Sequence, residues 1–326
     1  MKKVSVFETI EDTIQSLDVS DRDRTKLLDG VLKLKKQKVN LMITGATGCG
    51  KSSTINALFN TEVAKVGVGV DPETMVIKKH ELNNLILWDS PGLGDGKEKD
   101  AQHSKGIIKK LSEVDSKGEP VIDLVLVILD GSTRDLGTSY DLINKVIIPN
   151  LGSDAKNRIL IAVNQADMAM KGRFWNFETN QPEPKLLKFL EEKVLSIKQR
   201  VKEATSIDVE PIYYSAGYKG GEEEQSPWNL SKLLCFIVKN TPENKRLSYV
   251  DNLSNEKESW KDNDGNGDYQ EEVQKSFQDV AGHLSKNTLA GAAAGAAIGS
   301  VIPVVGTAIG SAVGAAVGFI GGLFGW

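Results

Sequence analysis

The chain predicts an α/β protein built on a doubly wound sheet, and three observations carry that expectation. Apolar strand-like runs at 39–44, 75–80, 85–89, 121–129, 158–163 and 209–214 alternate with helical patterns at 51–59, 101–114, 134–148, 184–204 and 228–240. The run from Val121 to Leu129 is almost wholly apolar, as a strand covered on both faces requires. A glycine-rich turn joins the first run to the first of these helices with no residue to spare, the strand–loop–helix order of a βα unit.

Residues 5–38 read as two amphipathic helices that precede the sheet. Ser20-x-x-Asp23 opens the second, which carries Leu27, Leu28, Val31, Leu32 and Leu34. Length allows one large domain with appendages or two domains, since 326 residues exceed a typical single core. Forty basic against 44 acidic residues give a net charge of −4, so no sequence-specific nucleic-acid partner is expected. Two distant cysteines, Cys49 and Cys235, argue for a reducing compartment. The start, Met1-Lys2-Lys3-Val4, runs quickly into Glu8, Glu11 and Asp12 without an apolar signal core, so a cytoplasmic location is expected.

Gly45-Ala46-Thr47-Gly48-Cys49-Gly50-Lys51-Ser52 fits G-x-x-x-x-G-K-[ST] at every fixed position. Backbone N–H groups of such a loop converge at a helix N-terminus, where a phosphate chain is stabilised. In this pattern Lys51 neutralises the β- and γ-phosphates, Ser52 ligates Mg²⁺, Ser53 continues the cradle, and Gly48 and Gly50 admit close approach of the backbone. Leu85 to Gly92 is a strand ending in Asp-Ser-Pro-Gly, where Asp89 would hold the metal's water shell and the Gly92 N–H would sense the γ-phosphate. Asn164-Gln165-Ala166-Asp167 follows another strand, and the Asp167 carboxylate can accept from guanine N1–H and its exocyclic amine. Ser215-Ala216 ends the last strand and would bring a backbone N–H to guanine O6.

These motifs, in this order and each at a strand end, make the chain resemble a translation-factor-related P-loop GTPase. The string TGATGCGKSSTINALF at 44–59, VGVGVDPET at 66–74 and the N-Q-A-D motif are similar to the bacterial Era-like YeeP/YfjP group, with a loop also similar to immunity-related and AIG/Toc GTPases. The resemblance covers roughly residues 20–245. It implies a mostly parallel six-stranded sheet flanked by helices, GTP or GDP as ligand, Mg²⁺, and hydrolysis of the β–γ phosphoanhydride. It also places Thr74 as the switch threonine that ligates Mg²⁺ and, with Lys51, serves catalysis. Three departures bear on rate. Gln165 stands where the motif has lysine, Leu93 where a water-positioning glutamine is found, and Gly48 where potassium-activated relatives have asparagine. Slow turnover is expected unless a partner or second copy completes the site.

The expected division is N-terminal helices at 1–37, a GTPase domain at 38–245, an acidic polar linker at 246–286 and a glycine-zipper hairpin at 287–326. Asp262 to Tyr269 fits the first positions of a calcium loop, but position 12 is Val273, so Ca²⁺ at 262–273 is the weaker reading beside a flexible acidic turn. Past Lys286 the chain carries no charge, and glycines recur every fourth residue at 291–299 and 306–322 on either side of Pro303. That spacing lets apolar helices approach closely in a membrane. Residues 304–326 would make a helix of about 34 Å, enough to span a bilayer, against about 22 Å for 288–302. The competing reading is an Ala/Gly helix packed on its own domain. The sequence thus points to a GTPase at the inner face of the cytoplasmic membrane, self-associating through the G domain or the zipper. Its alternatives are a membrane-perturbing effector triggered by GTP and a GTP-dependent scaffold with negligible turnover.

Overall fold

The computed structural model describes residues 4–59, 77–94, 96–218, 224–286, 291–302 and 304–305. Its helices are α1 (Val6–Ser16), α2 (Asp21–Lys35), α3 (Lys51–Leu58), α4 (Lys97–Leu111), α5 (Gly137–Asp141), α6 (Ala155–Arg158), α7 (Pro184–Thr205), α8 (Leu230–Asn240), α9 (Glu258–Lys261), α10 (Tyr269–His283) and α11 (Gly291–Ser300). The strands are β1 (Val39–Gly45), β2 (Lys78–Leu82), β3 (Leu85–Asp89), β4 (Leu124–Asp130), β5 (Ile159–Asn164), β6 (Trp175–Asn176), β7 (Gln181–Pro182) and β8 (Ile212–Tyr213). Six of them form one sheet in the order β2-β3-β1-β4-β5-β8. Only β2 runs antiparallel to its neighbour; the other pairs are parallel.

The all-apolar runs become the central strands because both of their faces are covered. Leu41, Ile43, Leu126 and Ile128 pack toward one helical layer, and Met42, Val125, Val127 and Ile161 toward the other. Parallel pairing in register sets Ile43 beside Asp89 and Asp130 beside Asn164, which brings the strand ends that carry the motifs to one edge. Ser5 caps α1 in a reciprocal box with Glu8, and Ser20 caps α2 by accepting from the Asp23 N–H, so both N-terminal helices begin where the sequence places them.

Several boundaries differ from the sequence expectation. The run at 209–214 pairs only over Ile212–Tyr213, since it lies at the sheet edge and meets one partner. The helical pattern at 134–148 starts as α5 and continues as a π-helix over Leu142–Ile147, ending in a short 3-10 turn that contains Pro149. The long insertion after β5 holds the small β6–β7 hairpin, anchored where Trp175 meets Trp228 edge-on at 5.5 Å.

The largest correction concerns residues 246–286, expected as a linker. They are folded into the domain: a 3-10 helix spans Glu243–Asn252, and α10 buries Val273, Phe277, Val280 and Ala281 in the core that also holds α1, α2 and α8. Lys245 ion-pairs with Asp123 at the base of β4, and the Trp260 indole donates to the Ser254 carbonyl at 2.9 Å. The acidic groups offered for Ca²⁺ are already committed. Asp262 accepts from Asn180, Asp264 pairs with Lys232 and accepts from Tyr269, Asp268 caps α10, and Val273 is buried. Among the described residues no cluster of three His, Cys, Asp or Glu side chains exists that could hold a metal.

Helix α11 lies on α10 and α1, with Ala294, Ile298 and Ile302 buried. A Cβ on Gly295 would come within 2.7 Å of Ser285 Oγ, so this glycine of the first series serves close packing on the protein itself. The second glycine series and Pro303 lie outside the described residues.

Phe277→Ala should lower stability by about 3–5 kcal/mol, the usual cost of an emptied aromatic site in a core. Urea unfolding followed by tryptophan fluorescence measures it; an unchanged midpoint would return α10 to the status of a linker.

Candidate nucleotide-binding site

Gly50 caps α3 with φ +88°, and a Cβ there would meet Asn164 Nδ2 at 2.2 Å. Gly48 also has positive φ, +79°, so the loop turns through conformations that side-chain-bearing residues resist. Lys51 Nζ donates to the carbonyls of Ala46 at 3.0 Å and Gly45 at 3.3 Å, which holds the ammonium along the loop. Ser52 and Ser53 occupy the first turn of α3 beside it. Cys49 is fully buried, and burial pushes its thiol pKa up, so it acts as a core group while its carbonyl accepts from Asn164 at 3.0 Å.

Asp89 ends β3 almost wholly buried, and its Oδ1 has no hydrogen-bond partner. Burial raises its pKa, opposed chiefly by the positive charge of Lys51 nearby. An orphaned carboxylate oxygen of this kind is what the water shell of Mg²⁺ would satisfy, with Ser52 as the direct protein ligand. The next residues are fastened to the phosphate loop. Ser90 Oγ donates to Thr44 Oγ1 at 2.8 Å, the Thr47 N–H donates to the Leu93 carbonyl at 3.0 Å, and the Leu93 N–H to the Gly45 carbonyl at 3.4 Å. Gly92 fits so tightly that a Cβ would stand 2.3 Å from Thr47 Oγ1 and 2.6 Å from its backbone.

On the other side of α3 lies a cavity of about 1220 Å³, bordered by Gly50, Ser53, Asn164, Gln165, Asp167, Ser215 and Ala216. Asn164 Oδ1 accepts from the Ala216 N–H at 2.9 Å while its Nδ2 reaches Cys49, so one side chain joins three motif loops. Gln165 takes φ +58° and its Nε2 donates to the Gly48 carbonyl at 2.9 Å. A neutral amide thereby makes the tie to the phosphate loop that a lysine ammonium could make. Asp167 is buried, and among the described residues its carboxylate has no hydrogen-bond or ion-pair partner, leaving both oxygens for a ligand's donors.

The fold thus gathers every expected site residue among those it describes; Thr74 lies outside the described residues. Sequence reasoning missed Tyr214, whose hydroxyl lies 2.6 Å from Thr54 Oγ1 and ties α3 to the end of the β8 segment. It also missed Asn180, which comes from the insertion, lines the cavity and donates to Ser226, Pro227 and Asp262. A lone tyrosine or asparagine outside a motif gives no such signal.

Residues 40–165 match the family described as 50S ribosome-binding GTPase. YfjP of Escherichia coli K12 is 26% identical over 173 residues, 52% of this chain and 55% of YfjP. YkfA of the same organism is 26% identical over 147 residues, 44% of this chain and 47% of YkfA. The matched segment spans about half the length of these relatives. Among solved structures, Era bound to MgGDPNP and a fragment of 16S ribosomal RNA aligns with TM-score 0.41 and 20% identity, covering 63% of this chain and 58% of that one. The loop, the strand-end aspartates and the family match converge on one conclusion: the chain contains a P-loop GTPase domain, homologous to those of YfjP and YkfA.

Proposed function

We propose that the chain binds GTP, hydrolyses it slowly to GDP and phosphate, and couples nucleotide state to membrane contact through residues 306–326. The observation that carries the guanine reading is the unpartnered Asp167 carboxylate in the cavity beside Asn164 and the Ala216 backbone. Lys51 would neutralise the β- and γ-phosphates, and the Gly92 N–H would meet the terminal one. Ser52, and Asp89 through water, would hold Mg²⁺, whose chemistry there would be to supply positive charge against the phosphates. Thr74 remains the switch threonine by resemblance. Slow turnover is supported by Leu93, which is buried and apolar where a water-orienting side chain would stand.

A run of contacts supports coupling to the C-terminal segment. Phe59, at the end of α3, pairs with Leu253, and the Ser254 N–H donates to the Leu58 carbonyl at 2.9 Å. The Ser254 carbonyl takes the Trp260 indole N–H, and the Trp260 carbonyl accepts from Gln270 at 2.6 Å, in the first turn of α10. The seat of α11 lies on that helix. Among the described residues no helix is long and apolar enough to cross a membrane. Because α11 and Val305 are spent on the protein core, membrane contact falls to 306–326, where Phe319, Leu323, Phe324 and Trp326 end a charge-free run. The reading places the protein in the cytoplasm, at the inner membrane face.

Lys51→Ala should weaken GTP binding about 100-fold or more while the protein stays folded, because a charge-assisted contact to phosphate is lost. Calorimetric titration reads this, and unchanged affinity would sink the phosphate-loop assignment.

Asp167→Asn should shift preference from guanine toward xanthine nucleotides, since an amide donates where the carboxylate accepted. Competition among GTP, XTP and ATP checks it; intact GTP selectivity would move base reading elsewhere.

Deleting 306–326 should abolish liposome flotation and leave nucleotide affinity unchanged, with α11 still seated. Full-length protein that never floats, with GDP or with a non-hydrolysable GTP analogue, would reject the membrane role.

A further inference from the structure

Helix α4 presents His103, Ile107 and Leu111 to the core at helical spacing, so an imidazole occupies a stripe that is otherwise apolar. Its Nδ1 lies 3.1 Å from the carbonyl oxygen of Gly92. A carbonyl only accepts, so Nδ1 carries the hydrogen. The Gly92 turn is thereby gripped from two directions. On one side it abuts Thr47 and is paired to the phosphate loop through Leu93; on the other, α4 holds it by His103 and by Asp100, which accepts from the Gly94 N–H at 2.9 Å.

We propose that His103 is a positioning residue for GTP hydrolysis, fixing the Gly92 turn against the phosphate loop so that the turn meets the terminal phosphate and passes its presence to α4. The proposal rests on the GTPase reading and extends it to a residue outside every nucleotide motif. The Leu93 side chain has no polar atom to add to its two backbone bonds with the phosphate loop. The helix that follows supplies the side-chain hold on the turn. The imidazole touches neither nucleotide nor water in this role; it acts through the Gly92 backbone. A GDP complex, which lacks the terminal phosphate, makes no demand on it.

The test compares wild type with His103→Ala, His103→Phe and His103→Asn in single-turnover and steady-state GTP hydrolysis, with GDP and GTP-analogue affinities measured in parallel. His103→Ala should lower kcat about tenfold or more, as expected when a reacting-site contact is misplaced, and should weaken the analogue relative to GDP while GDP affinity holds within about twofold. His103→Phe fills the volume without an N–H and should behave like His103→Ala. His103→Asn presents an amide N–H near the Nδ1 position and should recover most of the loss. A His103→Phe protein with wild-type kcat and analogue preference would show packing alone and overturn the role, as would His103→Ala at wild-type rate. Wild-type protein that neither binds nor turns over GTP would overturn the GTPase reading and this role with it.

Discussion

The carboxamide of Asn164 donates to the Cys49 carbonyl and accepts from the Ala216 N–H, and those two bonds fix the spacing between the phosphate loop and the loops that follow β5 and β8. Its position follows from the sheet. β5 pairs with β4 in a register that sets Asn164 beside Asp130, and β4 pairs with β1, which feeds the phosphate loop. Gly50 must be glycine because that same amide occupies the space of its Cβ. Gly131 is pressed in the same way, since a Cβ there would lie 2.4 Å from the Asn164 carbonyl oxygen. The buried residue has both ends of its polar group used, as a side chain cut off from water requires.

Much of this is legible in the sequence. Strands covered on both faces announce themselves as unbroken apolar runs, and the phosphate loop, Asp89, Asn164 and Asp167 sit at their ends. The C-terminal helices were less legible because their surface is so polar that composition suggested a linker. The spacing was nonetheless present: Val273, Phe277, Val280 and Ala281 fall on one helical face, and Tyr249 and Trp260 are large aromatics that linkers seldom carry. The calcium-like pattern misled for a related reason. Aspartates and glycines at those spacings serve equally well to turn a chain and cap a helix, as Asp268 does. Nothing in the sequence pointed to the carbonyl-to-amide zipping of Leu93 with the phosphate loop, because backbone pairing across loops carries no residue-type signature.

The glycine series of the tail shows how one pattern fits two solvents. Glycine every fourth residue lets a helix approach its neighbour, whether lipid or protein surrounds the pair. In α11 the neighbour is protein: Gly295 sits against Ser285, and Gly299 against the aliphatic part of Gln278, whose amide donates to the Gly299 carbonyl. Apolarity then resolves the choice element by element. Ala294 and Ile298 face inward on the domain.

The two faces of the sheet differ in how far apart along the chain their partners lie. One face is packed by residues between Met42 and Trp228. The other joins Val6, Ile10 and Ile14 of α1 to Phe277 of α10 and Ile298 of α11. During synthesis the first face can close while the ribosome is still adding the C-terminal helices, but the second cannot. α1 precedes them in the chain and can pack on α2 early, yet the rest of its apolar stripe waits until residues near 300 emerge. Contacts of such long sequence separation are slow to form and leave apolar surface open meanwhile. The nascent chain therefore passes through a stage in which the nucleotide loops can assemble on a sheet closed on one side only, and α1, made before the sheet, is among the last elements to complete its packing.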